Sequence, residues 1–452
     1  MVAEFARIPR PASAEAHLTS REVSYLESEH FTHGVPGKIG SILNARISAR
    51  AAVDAPVRAS PEWTVAMKRQ TLALLLLAGA LLVAAGFLAG KSLQDYRVAL
   101  NGQAAARGSD VSVRPIPDLV TTGRIFAGFE HQEAMLLGVN ELVQFHQDTL
   151  AQIVAAIHDR IKIIGIVAND EQRIQAIALL NAHKLPEDSI DFFRWPVEAT
   201  WVRDYAPFFM VGDHVTVVDF SYPQQNRDYE DNFPMALAAT FGMHYNHCGL
   251  TFDGGNLLGN GDGVCVTTLR IIARNQDRGY NSDQIGALLH DHFHFERWVR
   301  LHELEGEPTG HADMFVTFCA MNKAIVGIYR PDNDATNAQI LDENASTLKG
   351  ELTRQGPIDV VRIPMPSHRD GNWRSYTNVI YANGVVLVPQ YPDTNPDLDK
   401  IALNVFREAM PDWKIVGIDC SELITKRGAL HCISRNIPSL GRPIEAAQRA
   451  EK

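Results

Sequence analysis

TNVIYANGVVLVPQY, residues 377–391, sets two short apolar runs on either side of Asn383-Gly384. An Asn-Gly pair accepts left-handed backbone at both central positions of a two-residue turn. Flanked by β-branched and aromatic residues, it predicts a tight hairpin. The same device recurs upstream, in PFFMVGDHVTVVDF (207–220), GNLLGNGDGVCVTTLRII (255–272) and MFVTFCAMNKAIVGIY (314–329). A stretch with helical spacing follows each hairpin, near 230–242, 281–291, 334–350 and 396–410. After three of these comes a further short strand: RWVRL (297–301), DVVRI (359–363) and WKIVGI (413–418). The predicted unit is strand–strand–helix–strand, with turns about 50 to 60 residues apart. Repetition at such a period indicates a propeller, solenoid or array. Four units, and a fifth assembled from 124–195 and the end of the chain, predict an α/β fold: a five-bladed pseudo-symmetric propeller. An open α/β sandwich is the alternative. The aliphatic run IKIIGIVAN (161–169) reads as a buried strand between two helical stretches.

The 452-residue chain carries 42 Lys and Arg against 53 Asp and Glu, a net charge of -11. That balance argues against nucleic acid as a partner, because phosphate binding needs a basic surface. The five cysteines (Cys248, Cys265, Cys319, Cys420 and Cys432) form no CxxC pair, which argues against a zinc knuckle or a thioredoxin-type site. Three of them, Cys265, Cys319 and Cys420, lie in or beside apolar runs, as small core residues do.

Before the repeats stands MKRQTLALLLLAGALLVAAGFLAGKS, from Met67. Its uncharged stretch 71–90 is long enough to span a bilayer, and its basic start and small-residue end also suit a signal peptide. Residues 67–92 are therefore expected to be an anchor or a leader, and the catalytic unit is expected to be exported from the cytoplasm. Residues 1–66 read as a poorly ordered or mis-annotated extension and 93–118 as a linker, with the propeller domain over 119–445. Membrane contact is expected only through 71–90.

Polar clusters fall at the edges of the repeats. EATWVRDYAPFF (198–209) brings Trp201, Arg203 and Asp204; LTFDGGNLLG (250–259) brings Asp253 to Asn256; EPTGHADMFVTF (307–318) brings His311 and Asp313. WRSYTNVIYANG (373–384) brings Asn378, and GALHCIS (428–434) brings His431 and Cys432. Singly, each has a structural reading: a surface pair or turn cap for Asp204, a strand-edge pair for His311 and Asp313, a core thiol for Cys432. Together they sit at one phase of the repeat and would converge at one end of a ring. A thiol and an imidazole make a nucleophile and its proton-transfer partner. Two extra carboxylates would repel a developing oxyanion, but they suit a planar guanidinium, whose N–H fork they can grip. On an extended backbone His431 would face away from Cys432, so His311 is the expected partner of the thiol.

These stretches, with AGFEHQEAMLLG (127–138), resemble the guanidine-modifying superfamily of five-bladed α/β-propellers, the pentein fold. More narrowly they resemble the branch holding agmatine deiminase and the Porphyromonas-type peptidylarginine deiminase. The resemblance covers about residues 124–440. It implies Cys432 as nucleophile, His311 as general acid and base, Asp204 and Asp313 as guanidinium ligands, Trp201 against the substrate stem and Asn378 in support. It also implies hydrolysis through a covalent thiouronium, with neither metal nor organic cofactor. The segment TVVDFSYPQQNRDYED (216–231) carries Arg227, in a region where the peptidylarginine branch binds a substrate carboxylate. Arg227 and export favour peptidyl- or protein-arginine as substrate, with agmatine second. An amidinotransferase and a silent guanidine-binding protein are the further alternatives.

Overall fold

A computed structural model describes residues 123–439. The expected extension 1–66, span 67–92 and linker 93–118 lie outside these residues. No helix among the described residues is long and apolar enough to cross a membrane.

Five sheets carry the fold, with one small extra hairpin at 352–357. Four share one plan. In the second sheet, strands Phe208–Gly212 and Val215–Ser221 form an antiparallel hairpin, helix Asp228–Phe241 follows, and strand His244–Thr251 returns parallel to Val215–Ser221. The third sheet repeats this with Leu258–Gly259, Val264–Thr268 and Arg297–Leu301, and the fourth with Val316–Ala320, Lys323–Ile328 and Asp359–Pro364. The fifth uses Ile380–Ala382, Val385–Gln390 and Lys414–Asp419. The first sheet draws its antiparallel strand from the end of the chain: Ser434–Pro438 pairs with Gln132–Gly138, followed by parallel Lys162–Val167 and Asp191–Arg194.

The predicted turns stand where the sequence placed them. Asn383 and Gly384 have φ of 41° and 87°, the paired left-handed conformation a two-residue hairpin needs. The Asn383 side chain also bonds outward, accepting from Gln132 N–H at 2.9 Å and donating to Gln132 O at 2.8 Å. One turn thus sets the fifth sheet's register and latches it to the first. Three helices begin on side-chain caps: Asn169 accepts from Gln172 N–H, Asn281 forms a capping box with Gln284, and Asp334 accepts from Asn337 N–H. The stretch 140–160 is two helices, Val139–Phe145 and Gln147–Ile157, broken at His146.

Strand His244–Thr251 went unpredicted because HYNHCGLT has neither an aliphatic run nor clean alternation. Its parallel pairing with Val215–Ser221 overrides that weak local preference.

The apolar core lies between neighbouring sheets. One cluster joins the first sheet to the second through Leu136, Ile166, Phe209 and Phe233; another joins the second to the third through Phe220, Phe252, Cys265 and Phe293. A third links the third and fourth through Val266, Leu301, Phe315 and Leu341. The largest runs from the first sheet to the fifth and takes in Ile325 and Ile363 of the fourth.

Gly138 marks where the chain's end, the first sheet and the segment carrying Trp201 meet. Its N–H donates to Ile433 O at 2.9 Å, and its carbonyl accepts from Thr200 Oγ1 at 2.8 Å. A Cβ there would stand 2.0 Å from Thr200 O, a backbone atom with nowhere to go. Gly138→Ala is expected to lower unfolding free energy in a urea titration by about 1–3 kcal/mol; unchanged stability would contradict the close approach.

Candidate active site

Four of the polar clusters sit just before the first strand of a hairpin, and the fifth, with Cys432, before the strand that completes the first sheet. Asp204 lies in the one-turn helix Val202–Tyr205, ahead of Phe208–Gly212. Asp253 precedes the 3-10 turn Gly254–Asn256, and His311 precedes the turn Ala312–Met314 that carries Asp313. Asn378 comes two residues before Ile380, and Cys432 two before Ser434.

Backbone contacts draw these turns together. Arg203 N–H donates to Cys432 O at 2.9 Å, and the Arg203 side chain donates from Nε to His431 O at 3.2 Å. Gly254 approaches so closely that a Cβ would meet Arg203 O at 2.1 Å. Gly428 gives room to Trp201, whose Cζ3 would lie 2.4 Å from a Cβ there. Gly255 faces the centre of the group: its Cβ would stand 2.6 Å from His311 Nδ1, 3.1 Å from Asp313 Oδ2 and 3.2 Å from Asp204 Oδ1.

Asp204, His311 and Asp313 thus line one small space. His311 Nδ1 is 3.8 Å from Asp204 Oδ1 and 4.0 Å from Asp313 Oδ1. Its other nitrogen, Nε2, is taken by Asp253 Oδ2 at 3.0 Å, so Nδ1 is the nitrogen presented to the space. The same Asp253 oxygen lies 2.7 Å from Arg274 Nη1. Asn378 organises the thiol: its Nδ2 donates to Cys432 Sγ at 3.3 Å, while its Oδ1 accepts from His431 N–H at 2.9 Å and Cys432 N–H at 3.3 Å. All of these side chains are buried or nearly so.

The electrostatics follow from burying two carboxylates beside a thiol. Burial pushes Asp313 up to about 7, although His311 pulls it down. Burial also raises Asp204, with Asp253 adding to the effect. Burial alone would depress His311; Asp204, Asp253 and Asp313 outweigh it and raise the imidazole to about 9. Burial, then Asp313 and Asp204, hold the Cys432 thiol well above its ordinary value. Arg203 falls to about 10 through burial and stays cationic at neutral pH. Asp204 Oδ1 and Asp313 Oδ1 have no hydrogen-bond partner among the described residues. Buried oxygens of this kind require a donor, and a cation supplies it best.

Arg227 is held by two carboxylates. It begins helix Asp228–Phe241, and its Nη1 reaches Glu198 Oε2 at 2.6 Å and Glu230 Oε1 at 3.4 Å. Glu230 is buried and also accepts from the N–H groups of Glu198 and Ala199.

Three neighbours of the site were not singled out in the sequence. Asp253 belonged to a recognised cluster, but nothing local showed that it would meet His311, 58 positions away. Arg274, on helix Arg270–Gln276, gave no signal at all. His431 was set aside by the alternation of an extended strand, yet its segment is a turn closed by Ser434 N–H on His431 O at 3.1 Å. Alternation does not hold there, and His431 Nδ1 lies 2.7 Å from Asp313 Oδ2. Among the described residues, no group of three or more His, Cys, Asp and Glu side chains could hold a metal ion.

A buried thiol, an imidazole and two carboxylates are thus brought together on short turns that each precede a strand of an α/β fold. The sequence model of the Porphyromonas-type peptidyl-arginine deiminases matches residues 123–438, and the chain belongs to that family of C–N hydrolases. An agmatine deiminase of Pseudomonas putida is 26% identical over 277 residues, 53% of this chain and 74% of the relative. Agmatine deiminases from C. jejuni and Enterococcus faecalis share the fold, with TM-scores of 0.58 and 0.60. Each is 20% identical to this chain, over 70% of it and 96% of the solved chain. The fold is thus that of the pentein deiminases, and the family's activity is deimination of guanidinium groups.

Gly255→Ala is expected to leave the melting temperature within a few degrees of wild type, since the added methyl enters the space at the site rather than the core. Ammonia release from a guanidinium substrate is expected to fall by about two orders of magnitude, because a displacement near 1 Å costs that much. Retained activity would show that the space is not where substrate sits.

Proposed function

We propose that the protein hydrolyses an alkylguanidinium to a ureido product and ammonia at Cys432. The observation that carries this reading is the pair of buried, partnerless oxygens, Asp204 Oδ1 and Asp313 Oδ1, facing His311 Nδ1. A guanidinium laid between them gives each an N–H donor and, together with protonated His311, balances their two charges. With those charges answered, the Cys432 thiol loses what raises it beyond burial, and its proton leaves as the cation enters.

The thiolate attacks the central guanidinium carbon, forming a C–S bond as the C=N pair moves to nitrogen. His311 gives its Nδ1 proton to a nitrogen, which departs as ammonia and leaves a thiouronium on Cys432. Water then attacks that carbon while Nδ1 takes one of its protons; the C–S bond breaks, the electrons return to sulfur, the remaining hydroxyl proton passes to solvent and the ureido product is released. Asn378 steadies the sulfur through Nδ2, and Trp201, packed on Gly428, offers a flat surface to the substrate stem. We also propose that the five sheets are the blades of one ring, since the core clusters join each sheet to the next and the fifth to the first.

For the substrate, the surroundings of Arg227 bear on two classes. Its charge is answered by Glu198 and Glu230, a trio with a net negative charge, which favours a substrate with no free carboxylate, such as agmatine. An arginine peptide with a free terminal carboxylate is the second reading. It is favoured by the exposure of Glu198, whose side chain is 75% accessible and could release Arg227 to a competing carboxylate. The apolar run 71–90 supports placing the enzyme outside the cytoplasm, anchored or with its leader removed.

Cys432→Ser should abolish ammonia release while binding of substrate persists; measurable turnover by that variant would remove the mechanism. Comparing agmatine, benzoyl-arginine amide and a peptide ending in arginine ranks the substrates. Preference for the free-acid peptide, lost in Arg227→Ala, would put the peptide ahead of agmatine.

The pH profile has a defined sign. Below about 7 Asp313 carries a proton in the free enzyme and cannot grip the cation, so kcat/KM falls as pH drops. Above about 9 His311 has lost the proton the leaving nitrogen needs, and kcat/KM falls again. A bell between those limits is expected. An acid limb near 4, the ordinary carboxylate range, would contradict the burial of Asp313.

A further inference from the structure

His431 stands beside the nucleophile in sequence but addresses a carboxylate. Its Nδ1 is 2.7 Å from Asp313 Oδ2, whereas Asp313 Oδ1 is the oxygen that faces His311 and lacks a partner. The His431 backbone is fixed on both sides. Its N–H donates to Asn378 Oδ1 at 2.9 Å, and its carbonyl accepts from Arg203 Nε at 3.2 Å and Ser434 Oγ at 3.2 Å. The Cα that bears the ring is therefore held within the turn that carries Cys432.

We propose that His431 is a positioning residue for the guanidinium. Its Nδ1–H donates to Asp313 Oδ2, holds Oδ1 toward the substrate, and ties that carboxylate to the turn bearing Cys432. Asn378 completes the link, since one amide holds both the His431 backbone and the Cys432 sulfur. The spacing between the gripping oxygen and the attacking sulfur is thus set through one short, buried chain of bonds. A neutral donor suits this task. Burial, then Arg203, Arg435 and His311, hold His431 well below its ordinary value, so it supplies a hydrogen without adding a charge that would repel the substrate. Without that hydrogen, Asp313 has two oxygens lacking partners and is free to turn about its last torsion or to keep its own proton.

The inference rests on the deiminase reading, and the test separates the two. Full-length wild type, His431→Phe, His431→Leu and His431→Asn are compared; the Asn amide can place a donor where Nδ1 stands. Three quantities are read: kcat and KM for agmatine or arginine amide, the rate of iodoacetamide alkylation at Cys432, and protection from that alkylation by guanidinium chloride. Phe and Leu are expected to lose about 10- to 100-fold in kcat/KM and to need several-fold more guanidinium for protection. Their unprotected alkylation rates are expected to stay within about twofold of wild type, a band set well inside that 10- to 100-fold loss. Asn is expected to recover most of the loss in both guanidinium readouts. If one apolar variant fails to fold, the other, with Asn, still decides. Wild-type kcat/KM and protection in Phe or Leu would overturn the proposal, as would a folded Asn variant as impaired as they are. Alkylation falling in step with turnover would overturn it too, by placing His431 on the thiol. A wild type that neither releases ammonia from any guanidinium compound nor is protected by guanidinium would instead bring down the deiminase reading, and this inference with it.

Discussion

Two carboxylates kept out of water, each with an oxygen that nothing else satisfies, are the constraint on which this protein is built. Removing one partner from a buried ion pair typically costs about 3–5 kcal/mol, so leaving Asp204 and Asp313 half-answered is expensive. The surrounding structure carries that cost. Arg203 is buried to keep a cation near both acids, and Arg435 lies beneath, its guanidinium 4.0 Å over the Phe208 ring. His311, raised to about 9, lends a third positive charge. The site is thus short of hydrogen-bond donors at Asp204 Oδ1 and Asp313 Oδ1, and on the proposed reading a flat cation with hydrogens on its rim supplies them.

The repeat explains how residues more than 200 positions apart reach one space. Each unit puts a short polar turn before its hairpin, and each hairpin is pinned by apolar clusters shared with its neighbours. Rigid strands fix the height of each turn. Glycines set the closeness: Gly254 against Arg203 O, Gly255 against the three site side chains, Gly428 against Trp201. Catalytic side chains on short turns over packed strands combine loop chemistry with scaffold precision.

Much of this was legible in the chain. Asn383-Gly384 announced its hairpin because few other pairs take that backbone, and the aliphatic strands 162–167 and 385–390 announced burial. The acids, the imidazole and the thiol were legible because each interrupts the repeat at one phase. What escaped depended on contacts across the fold. Strand His244–Thr251 is made by its partner and not by its composition. Asp253 and Arg274 acquire meaning only once His311 is brought to them. His431 was weighed only as a partner for the thiol; a turn stands where extended backbone was assumed, and the ring meets Asp313. Arg227 was read as a ligand for a substrate carboxylate, and Glu198 and Glu230, which lie against it, could not be seen from spacing.

The proposed chemistry depends on the sulfur of residue 432 meeting the guanidinium carbon. Rapid acid quenching during turnover of a guanidinium substrate, followed by peptide mass analysis, tests this directly. The expected result is an amidine-derived mass increment on the peptide containing Cys432 and on no other cysteine, present in the first turnovers and gone when substrate is exhausted. Steady turnover with Cys432 unmodified throughout, or the increment on Cys248, Cys265, Cys319 or Cys420, would contradict covalent catalysis at this thiol.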